Sequence, residues 1–226
     1  MGENRPARYI QAHMTQIARH VAFAVLAAAL ALLAAPGLTS AAPRPFMGDQ
    51  IELGSAKAPI TVIEYASASC PHCARFNNNV FPEFKAKYID TGKVRYVLRE
   101  LLTPPQEFAA AGFLTARCAG QDKYLPVLDA IFHDQDKIYE SGDLIGGLHA
   151  IGKRFGLSDA EIDACIKDPK ADKALETRLN AAEKSGIDGT PTFLINGKKL
   201  EGEVTLGDLM LVIEPMLAAI NANGHG

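Results

Sequence analysis

The sequence predicts an α/β chain: a β-α-β unit, a helical block of about eighty residues, then a β-β-α unit. Three observations carry this. Two short runs rich in β-branched and aromatic residues, 60–65 (ITVIEY) and 94–98 (VRYVL), flank one helical stretch. From Pro104 to about Ser185 only helical spacing of apolar residues is found. Strand signals then return at 192–195 (TFLI), followed by Asn196-Gly197, a pair suited to a type I′ hairpin turn.

The elements read in order as follows. Arg5, Arg8 and Arg19 precede an apolar run over 21–35, then Pro36, Gly37 and the small residues Ser40-Ala41-Ala42. This is the pattern of a secretory signal peptide over 1–42. An uncleaved membrane anchor is the competing reading, but the run falls short of the about 20 residues that a spanning helix needs. Residues 43–58 read as an extended arm. After the strand 60–65, Ser69-Cys70-Pro71 opens a helix, because proline costs nothing at a first helical position. That helix is expected to reach about Tyr88, kinked by Pro82. In the helical block, Phe108, Ala111, Leu114 and Thr115 share one face, and Leu125, Leu128, Ile131 and Phe132 share another. Ser158 and Glu161 form a capping box, Asp168-Pro169 ends that piece, and a helix resumes from Ala171 to Lys184. Residues 198–201 return as a strand, and Leu209, Val212, Ile213, Met216 and Leu217 mark a last amphipathic helix.

The 226 residues are 48% hydrophobic and 22% charged, ordinary for a globular chain with a core. The formal charge is −3, and no Lys/Arg cluster suggests nucleic acid. Cleavage after Ala42 removes three Arg and one Glu, which takes the charge from −3 to −5. That favours solubility and selects no partner.

Four cysteines follow the signal segment: Cys70, Cys73, Cys118 and Cys165. In an oxidising compartment an even count suggests two disulfides, the close pair and Cys118–Cys165. Cys70-Pro71-His72-Cys73 can close a small, readily exchanged disulfide. Cys70 falls near the N-cap of its helix, where unpaired N–H groups and the positive helix end stabilise a thiolate. His72, as a donor or a cation, adds to this. Cys73, one turn on, reads as the resolving thiol. Three other readings compete. A zinc site would recruit Cys118 and Cys165. A soft-metal carrier lacks a His/Met cluster here. A purely structural disulfide is less favoured with Pro-His inside. No metal or other cofactor is expected.

At this point the residues resemble the DsbA family of thioredoxin-fold proteins. The tetrad Cys70-Pro71-His72-Cys73 after a strand, Gly189-Thr190-Pro191-Thr192 before the next strand, and the helical insertion carry the resemblance in that order. It spans about Asp49 to Ala219. It implies a thioredoxin-like domain from 43–102 and 187–226, with an inserted helical domain over 103–186. It implies Cys70 as attacking cysteine, Cys73 as resolving cysteine and His72 as electrostatic tuner. Pro191 would be cis, and Thr190 and Pro191 would hold an extended substrate by main-chain pairing. Glu64 matches a buried family acid that relays a proton to the resolving thiol; an edge glutamate paired with Arg99 is the alternative. Cys118–Cys165 matches a non-catalytic disulfide of some relatives, structural or regulatory. The implied activity is a periplasmic thiol:disulfide oxidoreductase acting on newly exported cysteine-containing proteins, reoxidised by a DsbB-like membrane partner. Thr190 keeps a reductase or isomerase open. The short segment before the first strand leaves no room for a dimerisation domain, so a monomer is expected.

Overall fold

A computed structural model describes residues 47–48 and 51–223 of the chain. The expected signal peptide, 1–42, lies outside the described residues. Five strands, β1 (Ile51–Leu53), β2 (Ile60–Ala66), β3 (Val94–Glu100), β4 (Thr192–Ile195) and β5 (Lys198–Glu201), form one sheet in the order β1-β3-β2-β4-β5. The central strand, β2 (Ile60–Ala66), runs parallel to β3 (Val94–Glu100) and antiparallel to β4 (Thr192–Ile195). β2 is central because one of its faces, Ile60, Val62, Glu64 and Ala66, is buried along its whole length. Its other face carries buried Tyr65 and half-buried Thr61 and Ile63, so the strand is sandwiched on both sides.

β1 (Ile51–Leu53) is a strand where the sequence suggested an extended arm. It pairs antiparallel with β3, with Ile51 opposite Leu98. Three residues are too few for alternation to register. The chain then turns at Gly54 (φ +87), where a Cβ would stand 2.5 Å from the Val94 carbonyl, so only glycine fits.

The single helix expected to Tyr88 is in three pieces: α1 (Pro71–Asn79), α2 (Phe81–Phe84) and a π-helical turn (Lys85–Ile89). Pro82 lies in the first turn of α2 and has no N–H to give back to residue 78. The break therefore falls at Val80, two residues before the proline rather than on it. Phe76, Phe81 and Phe84 from these pieces pack against Tyr96 and Phe193 of the sheet, the Phe76 and Phe193 rings edge to face at 4.7 Å.

The helical block holds α3 (Gln106–Cys118), α4 (Gln121–Ser141), α5 (Leu144–Arg154), α6 (Asp159–Ile166) and α7 (Pro169–Lys184). The Ser158/Glu161 capping box forms. Asp168 is the N-cap of α7 and Pro169 its first residue, so this helix starts two residues before the expected Ala171. Gly112 of α3 lets that helix approach the segment before Cys70: a Cβ there would lie 3.0 Å from Ala68 Cβ. One apolar cluster runs from the sheet through α3, α4 and α5. At its edge a single carboxylate, Glu100 at the end of β3, accepts hydrogen bonds from Arg117 Nε (2.7 Å), Tyr124 OH (2.8 Å) and Arg178 Nε. All four groups are buried or nearly so, which such charges tolerate only when paired.

The β4–β5 (Lys198–Glu201) hairpin turns through Asn196 (φ +46) and Gly197 (φ +88), both left-handed as a type I′ turn demands. α8 (Leu206–Asn223) closes the described chain. Among the described residues no helix is long and apolar enough to cross a membrane.

Candidate active site

Cys70 is the N-cap of α1 and Pro71 its first residue, so the sulfur sits where the helix's unpaired N–H groups point. Cys73 N–H donates to Cys70 Sγ at 3.4 Å. Both cysteines are buried and unbonded to one another, the dithiol form. The Cys70 thiol is drawn down to about 5. The largest cause is a hydrogen bond from the Cys73 thiol; the Thr190 side chain and the N–H groups of Cys73 and His72 add to it, against burial. Cys73 moves the other way, pushed well up by burial and by its bond to Cys70. The two sulfurs thus share a proton unequally: Cys70 the thiolate, Cys73 the thiol.

The segment that holds Cys70 is braced from both sides. Ser69 Oγ donates to the Thr103 carbonyl at 2.6 Å, and Thr103 N–H donates to Ser67 Oγ at 3.1 Å. From α4, Gln135 donates to the Ala68 carbonyl and Tyr139 to the Ser69 carbonyl, each at 2.9 Å. The Tyr139 hydroxyl is pushed up to about 12 by burial and by the Cys70 charge. The bracing residues Thr103, Gln135 and Tyr139 did not stand out in the sequence, because polar residues 34 to 70 positions away give no local signal.

Thr190 and Pro191 come to the same place from β4. Their peptide bond is cis, and Cys70 Sγ in its thiol form donates to the Thr190 carbonyl at 3.4 Å. Thr190 Oγ1 is buried with no other partner among the described residues, free to donate to the thiolate. Gly202 N–H donates to the Pro191 carbonyl at 2.9 Å, which fixes this corner.

Glu64 is buried on the inward face of β2 and accepts from Tyr96 OH at 2.6 Å. Its partner is a neutral tyrosine, not the arginine considered from sequence. Burial pushes the Glu64 carboxyl up to about 8, with the Cys70 charge adding and the tyrosine bond opposing. The Glu64 charge in turn raises Cys73. A cavity of about 350 Å³, lined by Glu64, Tyr96, Asn77, Phe81, Lys85 and Asp129 among others, reaches this carboxyl from outside.

His72 is half exposed and turned to a partner the sequence did not reveal. Its Nδ1 lies 2.9 Å from Glu203 Oε2 and 2.7 Å from an Arg75 amino group. The His72 contribution to Cys70 runs through its backbone N–H. Cys118 and Cys165 are elsewhere, joined as a disulfide (Cα–Cα 5.9 Å) against Leu157 and Ile162. They therefore supply no second thiolate pair to Cys70 and Cys73. Among the described residues no three His, Cys, Asp or Glu side chains converge as a metal site.

Known proteins resemble this chain in sequence and in fold. The thioredoxin family profile matches residues 47–215. A chain of Rickettsia bellii, named for protein-disulfide oxidoreductase activity, is 37% identical over 151 residues, 66% of this chain and 58% of that one. The chain thus spans little more than half the length of that relative. The crystal structure of Wolbachia pipientis alpha-DsbA1 superposes with a TM-score of 0.69 at 32% identity, over 77% of this chain and 94% of that one. Oxidised BdbD of Bacillus subtilis shares the fold, with a TM-score of 0.60 at 21% identity over 78% of this chain and 97% of that one. The match over residues 47–215, together with near-complete coverage of a DsbA crystal structure, shows that this chain belongs to the thioredoxin family, in its DsbA-like group.

Proposed function

We propose that the chain is an exported protein-disulfide oxidoreductase that donates a Cys70–Cys73 disulfide to cysteine-containing proteins. The observation that carries this is the split between the two thiols: Cys70 drawn down to about 5, Cys73 pushed well up. A dithiol with one stabilised thiolate favours its reduced form, so its disulfide gives up oxidising equivalents readily.

A substrate thiolate, laid beside Thr190-Pro191, attacks Cys70 Sγ; the Cys70–Cys73 bond breaks and Cys73 leaves as a thiolate. Glu64, protonated at neutral pH with its carboxyl near 8, supplies the proton that Cys73 needs. A second substrate thiolate then attacks the substrate sulfur of the mixed disulfide, and Cys70 leaves as the stabilised thiolate. Two electrons pass from the substrate dithiol to the cysteine pair. The cavity beside Glu64 is the route by which the carboxyl regains its proton from solvent. We assign the N-terminal 1–42 as a signal peptide, the helical block 103–186 as an inserted domain, the Cys118–Cys165 disulfide as structural, and a DsbB-like membrane protein as reoxidant of a monomeric, periplasmic enzyme.

Equilibration with glutathione buffers tests the direction of electron flow. The proposal expects a potential well above the about −270 mV of thioredoxin, nearer the about −120 mV of strong oxidants. A thioredoxin-like value would instead make the protein a reductase or isomerase, the reading that Thr190 keeps open.

A further inference from the structure

Glu203, the residue after the Gly202 that anchors Pro191, reaches from the turn after β5 to the start of α1. Its Oε1 accepts from Arg75 Nε at 2.9 Å, its Oε2 accepts from an Arg75 amino group at 3.2 Å, and Oε2 stands 2.9 Å from His72 Nδ1. Arg75 also approaches His72 Nδ1 at 2.7 Å. One nitrogen cannot accept from Arg75 and donate to Glu203 at once. A neutral His72 accepts from Arg75, and a protonated one donates to Glu203. Glu203 thus gathers both basic side chains of the first two turns of α1 onto one carboxylate, between the nucleophile helix and the substrate corner.

We propose that Glu203 is a positioning residue that sets the oxidising strength of the Cys70–Cys73 pair by holding Arg75 beside His72 and cancelling part of the guanidinium's positive field at Cys70. The idea rests on that pair being the redox centre. Glu203 is charged throughout the working range, because the Arg75 bond first and His72 second hold its carboxyl at about 2. Arg75 and the Cys70 thiolate sense one another electrostatically. The other groups that act on Cys70 are Cys73, Glu64, Tyr139 and Thr190, and Glu203 touches none of them in any contact described above.

The sign follows from charge. Glu203→Gln removes one full negative charge and leaves the Arg75 guanidinium in place. The net field at Cys70 becomes more positive. Arg75→Gln removes a cation and does the reverse. Each side chain is about half exposed, so the effect is that of a screened charge and folding is preserved.

The test is the thiolate absorbance titration of Cys70 and the glutathione equilibrium in both single variants and in the double variant. Glu203→Gln should raise the thiolate-to-thiol ratio about two- to threefold at a given pH, and make the disulfide more oxidising by a similar factor. Arg75→Gln should move both readings the opposite way, and the double variant should return toward wild type. Shifts in the same direction in both singles, or no shift in either while the wild type still exchanges disulfides, would overturn the proposal. A wild type that exchanges none would refute the redox reading itself, a separate outcome.

Discussion

Cys70 and Cys73 are separated by two residues and sit among polar groups and charge; Cys118 and Cys165 are 47 residues apart and sit among hydrocarbon. The first pair lies at a helix N-terminus, with a thiol donor, two N–H groups and a buried acid arranged around it. The second joins the ends of α3 and α6 with Leu157 and Ile162 packed on it, and Cys118 Sγ otherwise reaches only the Glu161 carbonyl at 3.6 Å. The same two-electron chemistry is available to both pairs. What differs is whether the surroundings stabilise a thiolate. A helix start and unequal burial make one pair reactive; apolar packing makes the other a cross-link.

The sharpest way to break this contrast is to remove each pair. Cys70→Ser should abolish disulfide transfer, read as oxidative refolding of a reduced model substrate. Replacing both Cys118 and Cys165 by Ala should leave transfer within a few-fold but lower stability by about 4 kcal/mol, the chain-entropy value for a loop of that length, read in a denaturant titration. Loss of transfer in the second variant at a temperature where it is folded would make the distal pair regulatory.

Glu64 gives the next largest effect, and its sign is opposite to that of an ordinary paired carboxylate. Its folded value, near 8, lies above the unfolded one, so the group costs stability once pH rises past the unfolded value and the cost is complete above the folded one. Glu64→Gln should therefore stabilise the protein at pH 7 by about 3 kcal/mol. It should also slow transfer about 100-fold, because a glutamine cannot hand a proton to Cys73. A variant that is stabilised but transfers at the wild-type rate would leave Glu64 without a part in the chemistry. Smaller still is the pH dependence of the dithiol form. Cys70 titrates lower in the folded than in the unfolded chain, so this stability is present above the unfolded value and is lost as pH falls through about 5. The oxidised protein, with no Cys70 thiol, should lack that loss in parallel thermal melts.

Much of this was legible from local spacing. The tetrad, the hairpin at Asn196-Gly197, the capping box at Ser158 and the division into strand, helical and strand regions are all encoded within a few residues of each other. The Cys118–Cys165 pairing followed from counting. What sequence did not reveal depends on contacts between distant residues. No local pattern marks Arg117 or Arg178; Glu100, 17 and 78 positions away, brings them together in the interior. Tyr96 reads as a strand aromatic, yet it replaces an arginine as the partner of Glu64. Glu203 follows a turn, 131 positions from His72, and nothing near it in the chain marks it. β1 is too short to show a period, and the break at Val80 lies upstream of the proline that causes it.

The unequal thiols are the centre of the account, and the absorbance of the Cys70 thiolate as a function of pH tests them most directly. In the reduced Cys73→Ala variant the Cys73 donor is gone, so the wild-type dithiol is the form to titrate. Unequal thiols give a single thiolate appearing with a midpoint near 5 and no second one until well above neutral pH. Two thiols titrating together at an ordinary value of about 8.5 would contradict it.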